Sequence, residues 1–181
     1  MARIIAQRLG IPAYDKEIIK LTAEESGLNE AVLQSTEESD GLRKLISWFL
    51  PSGAVSTYDQ AILAQAQVIR NIAAQGPCVI VGRCADYVLR ERKDLLSVFI
   101  HAPLSFRAQR AQKVYEKTAS NIEDFVKKKD KKRAAFYNYF SQNKWGDARH
   151  YHLAISSVYG VDFAVEVLKH AAESFPGGEA L

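Results

Sequence analysis

Arginine residues in the second half of the chain recur at spacings that could gather positive charge around a phosphate. Arg107 and Arg110 are three residues apart in a predicted helix, so both project to one side. Asp130, Arg133 and Tyr137 share one face of a second predicted helix. Phosphoryl transfer mainly requires positive charge around the moving phosphoryl group. Arginines from separate segments that close over one pocket would meet that need, and solvated helix surface is the alternative for each of them.

A Gly-Arg pair follows a short apolar run in the first half of the chain. Gly82 and Arg83 come directly after Val79, Ile80 and Val81, which predict a buried strand. Ligands of α/β proteins gather at the carboxyl ends of strands, where a glycine permits a sharp turn and a guanidinium can clamp a phosphate. We therefore predict a phosphate-receiving site here. The alternative is that Arg83 only pairs with a nearby acid such as Asp86.

Hydrophobic periodicity places these residues on alternating helices and short strands. Unbroken apolar runs predict strands at 78–81 and 96–100, with a further short strand at 11–14 and a less regular one at 152–156. Alternation of this kind is typical of a three-layer α/β domain, a parallel sheet flanked by helices. A capping box at 120–123 predicts the start of a long helix. The helices are predicted at 2–9, 15–26, 29–39, 41–50, 59–75, 104–116, 121–143 and 161–174, with a buried stripe of Ile62, Leu63, Ala66, Ile69, Ile72 and Ala73 in the fifth.

Composition narrows the class of protein further. The 181 residues are 48% hydrophobic and 25% charged, which fits one globular domain. No apolar run approaches the roughly 20 residues of a membrane span, so we expect a cytoplasmic protein without a membrane partner. The net charge of +3 is too small to indicate a nucleic-acid partner. Cys78 and Cys84 have neither zinc-site nor redox-pair spacing, and no metal site is predicted from the chain's own residues.

Several ordered segments together resemble one known family. They are LGIPAYDKEII at 9–19, VIVGRCADYVL at 79–89, VFIHAPLSFRAQR at 98–110, DKKRAAFY at 130–137, and WGD followed by YHLAISS within 145–157. Their order and spacing resemble the cytidylate kinase-like proteins of bacteria over nearly the whole chain. The resemblance implies a nucleoside monophosphate kinase-like fold of the P-loop NTPase class. It also implies a single domain of 1–181, with a core of 1–116 and 144–181 and a helical lid at about 117–143.

The resemblance also implies an activity and roles for individual residues. Such kinases move the terminal phosphoryl group of ATP, with Mg²⁺, to a nucleoside monophosphate. Arg83 matches the arginine that holds the acceptor phosphate, and Asp130 and Arg133 match an Asp-x-x-Arg pattern of the lid. Tyr14 and Asp15 occupy the stretch beside the acceptor nucleotide. The chain departs from the pattern at Cys84, where authentic cytidylate kinases carry an aspartate, so the acceptor is left open between nucleoside monophosphates and related small molecules.

A second departure concerns the phosphate-binding loop. The sequence contains no G-x-x-x-x-G-K-[ST] motif, and the resemblance implies a strand and a glycine-rich loop ahead of residue 1. In that architecture the strand would lie between the strands at 78–81 and 96–100, so we expect two open sheet edges, which a homo-oligomer could cover. Three hypotheses follow: a nucleotide or small-molecule kinase, a non-catalytic nucleotide-binding or regulatory protein, and an interaction domain whose sheet edges are filled by a partner.

Overall fold

A computed structural model describes residues 1–31, 33, 57–115 and 121–175 of the chain. It divides into two compact units, Ala2–Arg92 and Lys93–Leu181, the second of which includes Met1. The predicted helices at 29–39 and 41–50 and the predicted connection at 51–53 fall largely or wholly outside the described residues.

The first unit combines helices with a pair of very short parallel strands. Its elements are α1 (Ala2–Leu9), β1 (Ala13–Tyr14), α2 (Glu17–Ser26), α3 (Thr57–Ala74), β2 (Val79–Ile80) and α4 (Ala85–Val88). Strands β1 and β2 pair in parallel, with Ala13 opposite Val79 and Tyr14 opposite Ile80. The carboxyl ends of both strands therefore meet at one edge of this sheet.

Helix α3 supplies much of the apolar core of the first unit. Ile69 is completely buried, and Ala61, Ile62, Ala66, Val68 and Ile72 are each at most 7% exposed. The predicted stripe is wrong at Leu63, which is 63% exposed. Leu63 follows Ile62 by one residue, and this rotates its side chain about 100° away from the buried face of the helix. Helix α2 adds Ile18, and its end is fixed by Gly27, whose left-handed backbone returns an N–H to the carbonyl of Ala23.

The second unit is built from one parallel strand pair and three long helices. Its elements are β3 (Val98–His101), α5 (Leu104–Tyr115), α6 (Ile122–Ser141), β4 (Leu153–Ser156) and α7 (Val161–Glu173), with short 3₁₀ turns at Ala148–His150 and Ser157–Tyr159. Strands β3 and β4 are in register from Val98 opposite Leu153 to His101 opposite Ser156.

Helix α6 begins one residue later than the capping box predicts. Its N-cap is Asn121, whose side-chain oxygen accepts a hydrogen bond from the backbone N–H of Asp124 at 3.2 Å. An asparagine side chain reaches the third backbone N–H as well as a serine does, so the sequence carries two overlapping caps and the second one is used. At the other end Gln142 takes the left-handed conformation that closes the helix.

An aromatic cluster joins β3 to the segment that follows α6. The ring of Phe99 meets Trp145 edge-on at 5.5 Å between centroids and lies 5.0 Å from Tyr151. Gly146 fits beneath it, because a Cβ there would lie 3.2 Å from the Phe99 ring. The backbone N–H of Trp145 donates to the Asn138 side chain at 2.6 Å, which ties this turn to α6.

The predicted α/β class with parallel strands is confirmed at this level. The described strands are shorter than predicted and form two pairs, β1 with β2 and β3 with β4. Helix bounds agree with the predictions to within about two residues, because the apolar periodicity runs close to the helix ends.

Candidate functional site

Three of the predicted site residues meet in the second unit. The Arg107 guanidinium donates through Nη1 to Asp130 Oδ2 at 2.5 Å. The Nη1 of Arg133 lies 3.7 Å from the other oxygen of the same carboxylate. One carboxylate is thus flanked by two guanidinium groups. We call Arg107, Asp130 and Arg133 the arginine cluster.

The position of the arginine cluster is set by the end of β3. Arg107 lies in the first turn of α5, and its Nε donates to the carbonyl oxygen of Ala102 at 2.9 Å. Ala102 directly follows His101, the last residue of β3. The cluster therefore lies at the carboxyl end of a parallel strand, where α/β proteins bind their ligands.

Burial differs across the cluster. The side chains of Asp130 and Arg107 are 20% and 32% exposed, and that of Arg133 is 67% exposed. The inner pair is partly shielded from water, which strengthens its electrostatic attraction relative to a fully solvated pair. Arg133 is the member that can turn toward a ligand with the least rearrangement, because most of its surface is already in water.

The predicted site residue Arg110 and the neighbouring Tyr137 do not join the cluster. Arg110 is exposed and makes no ion pair within the described part of the chain. Tyr137 is only 6% exposed, and its ring stacks on Tyr151 at 6.4 Å. Tyr137 does share the helix face of Asp130 and Arg133, but it lies near the end of α6 that is packed into the core. Its place in the fold is therefore structural.

The remaining predicted site residues lie in the first unit. Tyr14 ends β1, and its carbonyl accepts a hydrogen bond from the N–H of Val81 at 2.9 Å. Asp15 follows Tyr14 directly in the chain, and Gly82 follows Val81. The structure thus brings Tyr14, Asp15, Gly82 and Arg83 to the carboxyl edge of the β1–β2 sheet, with Asp86 one helical step further on in α4.

The turn after β2 has an uncommon backbone. Gly82, Arg83 and Cys84 have φ values of 70°, 59° and 52°, so three consecutive residues are left-handed. This conformation costs roughly 1–2 kcal/mol for a residue with a side chain. Cys84 is 4% exposed, and the N–H of Ala85 bonds back to the Gly82 carbonyl at 3.0 Å. The buried Cys84 side chain anchors this turn. The turn fixes the backbone from which Arg83 projects.

Glu17 is a neighbouring residue that the sequence analysis missed. Its carboxylate accepts a hydrogen bond from the Asp15 N–H at 3.0 Å and lies 3.2 Å from Arg3. Hydrogen bonds from the backbone N–H groups of Glu17 and Asp15, with a smaller contribution from Arg3, lower the pKa of Glu17. An acidic residue in the first turn of a predicted helix is the signal that could have revealed it.

The aspartate of the Trp-Gly-Asp segment has a structural task. Asp147 caps the 3₁₀ turn by accepting from the Arg149 N–H at 3.1 Å, and its oxygens also receive the Arg149 guanidinium at 2.6–3.2 Å. The side-chain and backbone hydrogen bonds from Arg149 hold the pKa of Asp147 well below its ordinary value of 3.8.

The described residues contain neither a metal-binding cluster nor a membrane-spanning helix. Within residues 1–31, 33, 57–115 and 121–175, no group of three or more His, Cys, Asp or Glu side chains could hold a metal ion. No helix in the same residues has both the length and the apolar character needed to cross a membrane.

Comparison with known proteins identifies the family of this chain and a solved structure similar to it. The family model described as the cytidylate kinase-like family matches residues 1–159, which confirms the family predicted from the ordered motifs. A crystal structure of an uncharacterized protein from Eubacterium ventriosum is similar with a TM-score of 0.71 and 23% sequence identity, over 96% of this chain and 89% of that one. At this identity the similarity shows the fold alone. No curated protein sequence matches.

Proposed function

Because this chain belongs to the cytidylate kinase-like family, we propose that it transfers the terminal phosphoryl group of ATP to a nucleoside monophosphate or a related small acceptor. The observation that carries the proposal is the arginine cluster at the carboxyl end of β3. Two guanidinium groups beside one strand end supply the positive charge that phosphoryl transfer demands. A P-loop NTPase-like, three-layer fold with α6 in a helical lid is part of the same proposal.

The predicted residues other than Asp130 have these roles in the proposed reaction. Arg133, the most exposed member of the cluster, stabilises charge on the transferring phosphoryl group. Arg107 binds a phosphate oxygen from the strand end, and Arg110 adds charge on the same helix. In the first unit, Arg83 holds the acceptor phosphate from its left-handed turn, and Tyr14 and Asp15 contact the acceptor. Gly82 permits the close approach of that phosphate, and Asp86 contributes a hydrogen-bond acceptor.

The chemistry of ATP and Mg²⁺ fits these residues in part. Guanidinium groups suit phosphate oxygens, and Mg²⁺ supplies further charge neutralisation between the phosphates. Since the described residues form no cluster of three acidic or imidazole ligands, the ion would be held mainly by the nucleotide phosphates and water.

Calorimetric titration combined with a phosphoryl-transfer assay tests the proposal. The chain is titrated separately with ATP·Mg²⁺, CMP, AMP and dCMP, and ADP release is followed with each acceptor. We expect saturable heat with ATP·Mg²⁺ and with at least one monophosphate, and ADP release that depends on that acceptor. Absence of acceptor-dependent ADP release would contradict the kinase assignment.

The titration also tests the second candidate, a non-catalytic nucleotide-binding or regulatory protein. The observation in its favour is that the arginine cluster supplies positive charge suited to a phosphate group whether or not a phosphoryl group is transferred. Heat from a monophosphate with none from ATP·Mg²⁺ is the result that this candidate requires.

A further inference from the structure

We propose that Asp130 acts as an internal competitor for the phosphate ligand. Its carboxylate lies between the guanidinium groups of Arg107 and Arg133 and leaves when a phosphate group takes its place. The inference rests on the proposed function in one respect, that phosphate binds at Arg107 and Arg133. It assigns Asp130 a regulatory and positioning role in place of the catalytic role expected from the sequence.

Two of the three guanidinium nitrogens of Arg107 already have hydrogen-bond partners. Its Nε is engaged by the Ala102 carbonyl and its Nη1 by Asp130. Within the described residues, Nη2 is the guanidinium nitrogen left without a partner. A bidentate grip on a phosphate uses two nitrogens of one guanidinium. Because Nη2 is the nitrogen without a partner, a bidentate grip by Arg107 also uses Nε or Nη1, and a phosphate oxygen on the second N–H of Nη1 would lie beside the Asp130 carboxylate.

Of the two partners of Arg107, the Asp130 carboxylate is the easier one for a phosphate to displace. The Ala102 carbonyl is part of the backbone that directly follows β3, so it is fixed by the strand. Asp130 belongs to α6, a different element from the α5 that carries Arg107, and its carboxylate ends a side chain with two rotatable bonds. Rotation of this side chain costs far less than displacement of a strand end. The carboxylate is the partner that a ligand displaces.

The Asp130 carboxylate also lowers the positive charge that an entering phosphate meets. Arg107 and Arg133 together carry two positive charges, and the carboxylate between them cancels one. A phosphate that enters while Asp130 stays in place meets this negative charge within a few ångströms, in a setting only 20% exposed at Asp130. Like charges in such a partly shielded setting repel more strongly than in bulk water. Anion affinity is therefore reduced by the presence of Asp130.

Replacement of the Asp130 carboxylate by a ligand would also change how α5 and α6 are connected. The Arg107–Asp130 ion pair joins the start of α5 to the middle of α6. A ligand that takes over Arg107 removes this connection and replaces it with its own contacts. Ligand binding would thus change how α6 is held, and substitution of Asp130 should mimic part of that change.

The test uses inorganic pyrophosphate as the probe, titrated calorimetrically at fixed ionic strength. Asp130→Asn keeps the shape of the side chain and removes its charge. Glu123→Gln on the same helix is the matched control, because in the described part of the chain Glu123 forms an ion pair only with Lys127 and lies outside the cluster. We expect Asp130→Asn to bind pyrophosphate about tenfold more tightly than wild type, a change of about 1.4 kcal/mol. Glu123→Gln should stay within about twofold of wild type.

The same substitution in an Arg107→Ala background shows how much of the gain in pyrophosphate affinity depends on Arg107. When Asp130→Asn is combined with Arg107→Ala, the tightening relative to Arg107→Ala alone should be smaller than the tightening in the wild-type background, since only Arg133 and the removed negative charge then contribute. Melting curves establish that each variant is folded, and Asp130→Ser serves in place of Asp130→Asn if the amide variant fails to fold.

The outcomes separate this inference from the proposed function. Wild-type protein that transfers phosphoryl groups, together with an Asp130→Asn variant that binds pyrophosphate no more tightly, overturns the competitor role alone. An equal gain in pyrophosphate affinity in Glu123→Gln also overturns the competitor role, because the gain would then depend only on the net charge of the protein. No binding of pyrophosphate by wild type or by either Asp130 variant overturns both the competitor role and the anion site.

Discussion

Arg133 differs from its partner arginine in how loosely it is held. Its guanidinium lies 3.7 Å from Asp130 and is 67% exposed, whereas Arg107 has two close partners and is 32% exposed. A loosely held charge contributes little to ground-state binding and can follow the charge that develops during the reaction.

Arg133→Ala should therefore lower turnover more than it weakens acceptor binding. We expect turnover to fall about 100-fold or more, as for other single donors to a developing charge. The dissociation constant of the acceptor should change by no more than about threefold, because the charge is needed mainly in the transition state. Steady-state kinetics and calorimetry measure the two effects, with the exposed Lys128→Ala on the same helix as the control. Unchanged turnover would remove Arg133 from catalysis.

Asp147 gives a prediction about acid stability. Its pKa in the folded protein lies well below 3.8, because of the hydrogen bonds from Arg149. A lowered folded-state pKa contributes stability that is present above the unfolded-state pKa and is lost as the pH falls below it. Asp147→Asn should thus melt at a lower temperature than wild type at neutral pH, and the difference should narrow between about pH 4 and pH 2.5.

Melting temperatures across that pH range check the prediction. Glu173→Gln is a suitable control, because Glu173 is about half exposed and pairs only loosely with Lys169 at 3.6 Å. A difference between wild type and Asp147→Asn that stays constant with pH would show that the carboxylate contributes through shape alone.

Residue types and spacing predicted part of the cluster. Asp130 and Arg133 could be placed together because a single helix relates them, whereas the pairing of Arg107 with Asp130 depends on how two helices pack. The Ala102 carbonyl could not be found from sequence at all, because every residue carries such a group. Tyr137 shares the helix face of Asp130 and Arg133, as the spacing predicts, but which part of that face enters the core is decided by the neighbouring aromatic rings.

At the scale of the elements, helices were predicted more accurately than strands. Apolar periodicity persists over many residues in α3 and α6, so a shift of one residue changes little. The two residues of β1 and of β2 are too few for any period to define their limits. The first residue of α6 could not be predicted exactly either, because Ser120 and Asn121 are both suitable N-cap residues and the local sequence does not favour one of them.

The turn after α6 yields a prediction about packing. Gly146 has a φ of 77°, and an added Cβ would lie 3.2 Å from the Phe99 ring, which is itself held by Trp145 and Tyr151. Gly146→Ala should lower the free energy of unfolding by about 2–3 kcal/mol, through left-handed strain together with overpacking.

Gly27→Ala is the matched control for this substitution. Gly27 has a similar φ of 70°, and nothing lies within 4 Å of its added Cβ, so only the strain of about 1 kcal/mol applies. Denaturant unfolding of both variants provides the comparison. Equal losses of stability would mean that the Phe99 ring moves aside at no cost.

At the scale of the whole molecule, the strand pairs raise the question of association. Strand β3 pairs with β4 along one edge, and no other described strand pairs with its second edge. Open edges of this kind favour pairing with another chain. Ile100 in β3 is 39% exposed, which adds apolar surface beside the edge.

We predict that the protein self-associates through this strand in a concentration-dependent way. Ile100→Lys should weaken the association, because charges on an edge strand disfavour pairing. Leu63→Lys makes the same change at an exposed apolar residue of a helix and should have no effect. Sedimentation velocity over a range of concentrations measures the outcome. A wild-type protein that remains monomeric throughout would contradict the prediction.

The edge-on packing of Trp145 against Phe99 also gives the molecule an optical reporter. The sequence contains two tryptophans, Trp48 and Trp145, so Trp48→Phe would leave a single indole emitter. That emitter lies four residues beyond the end of α6 and is tied to the helix through Asn138. The wavelength and intensity of its fluorescence would follow any shift of this helix as ligand is added.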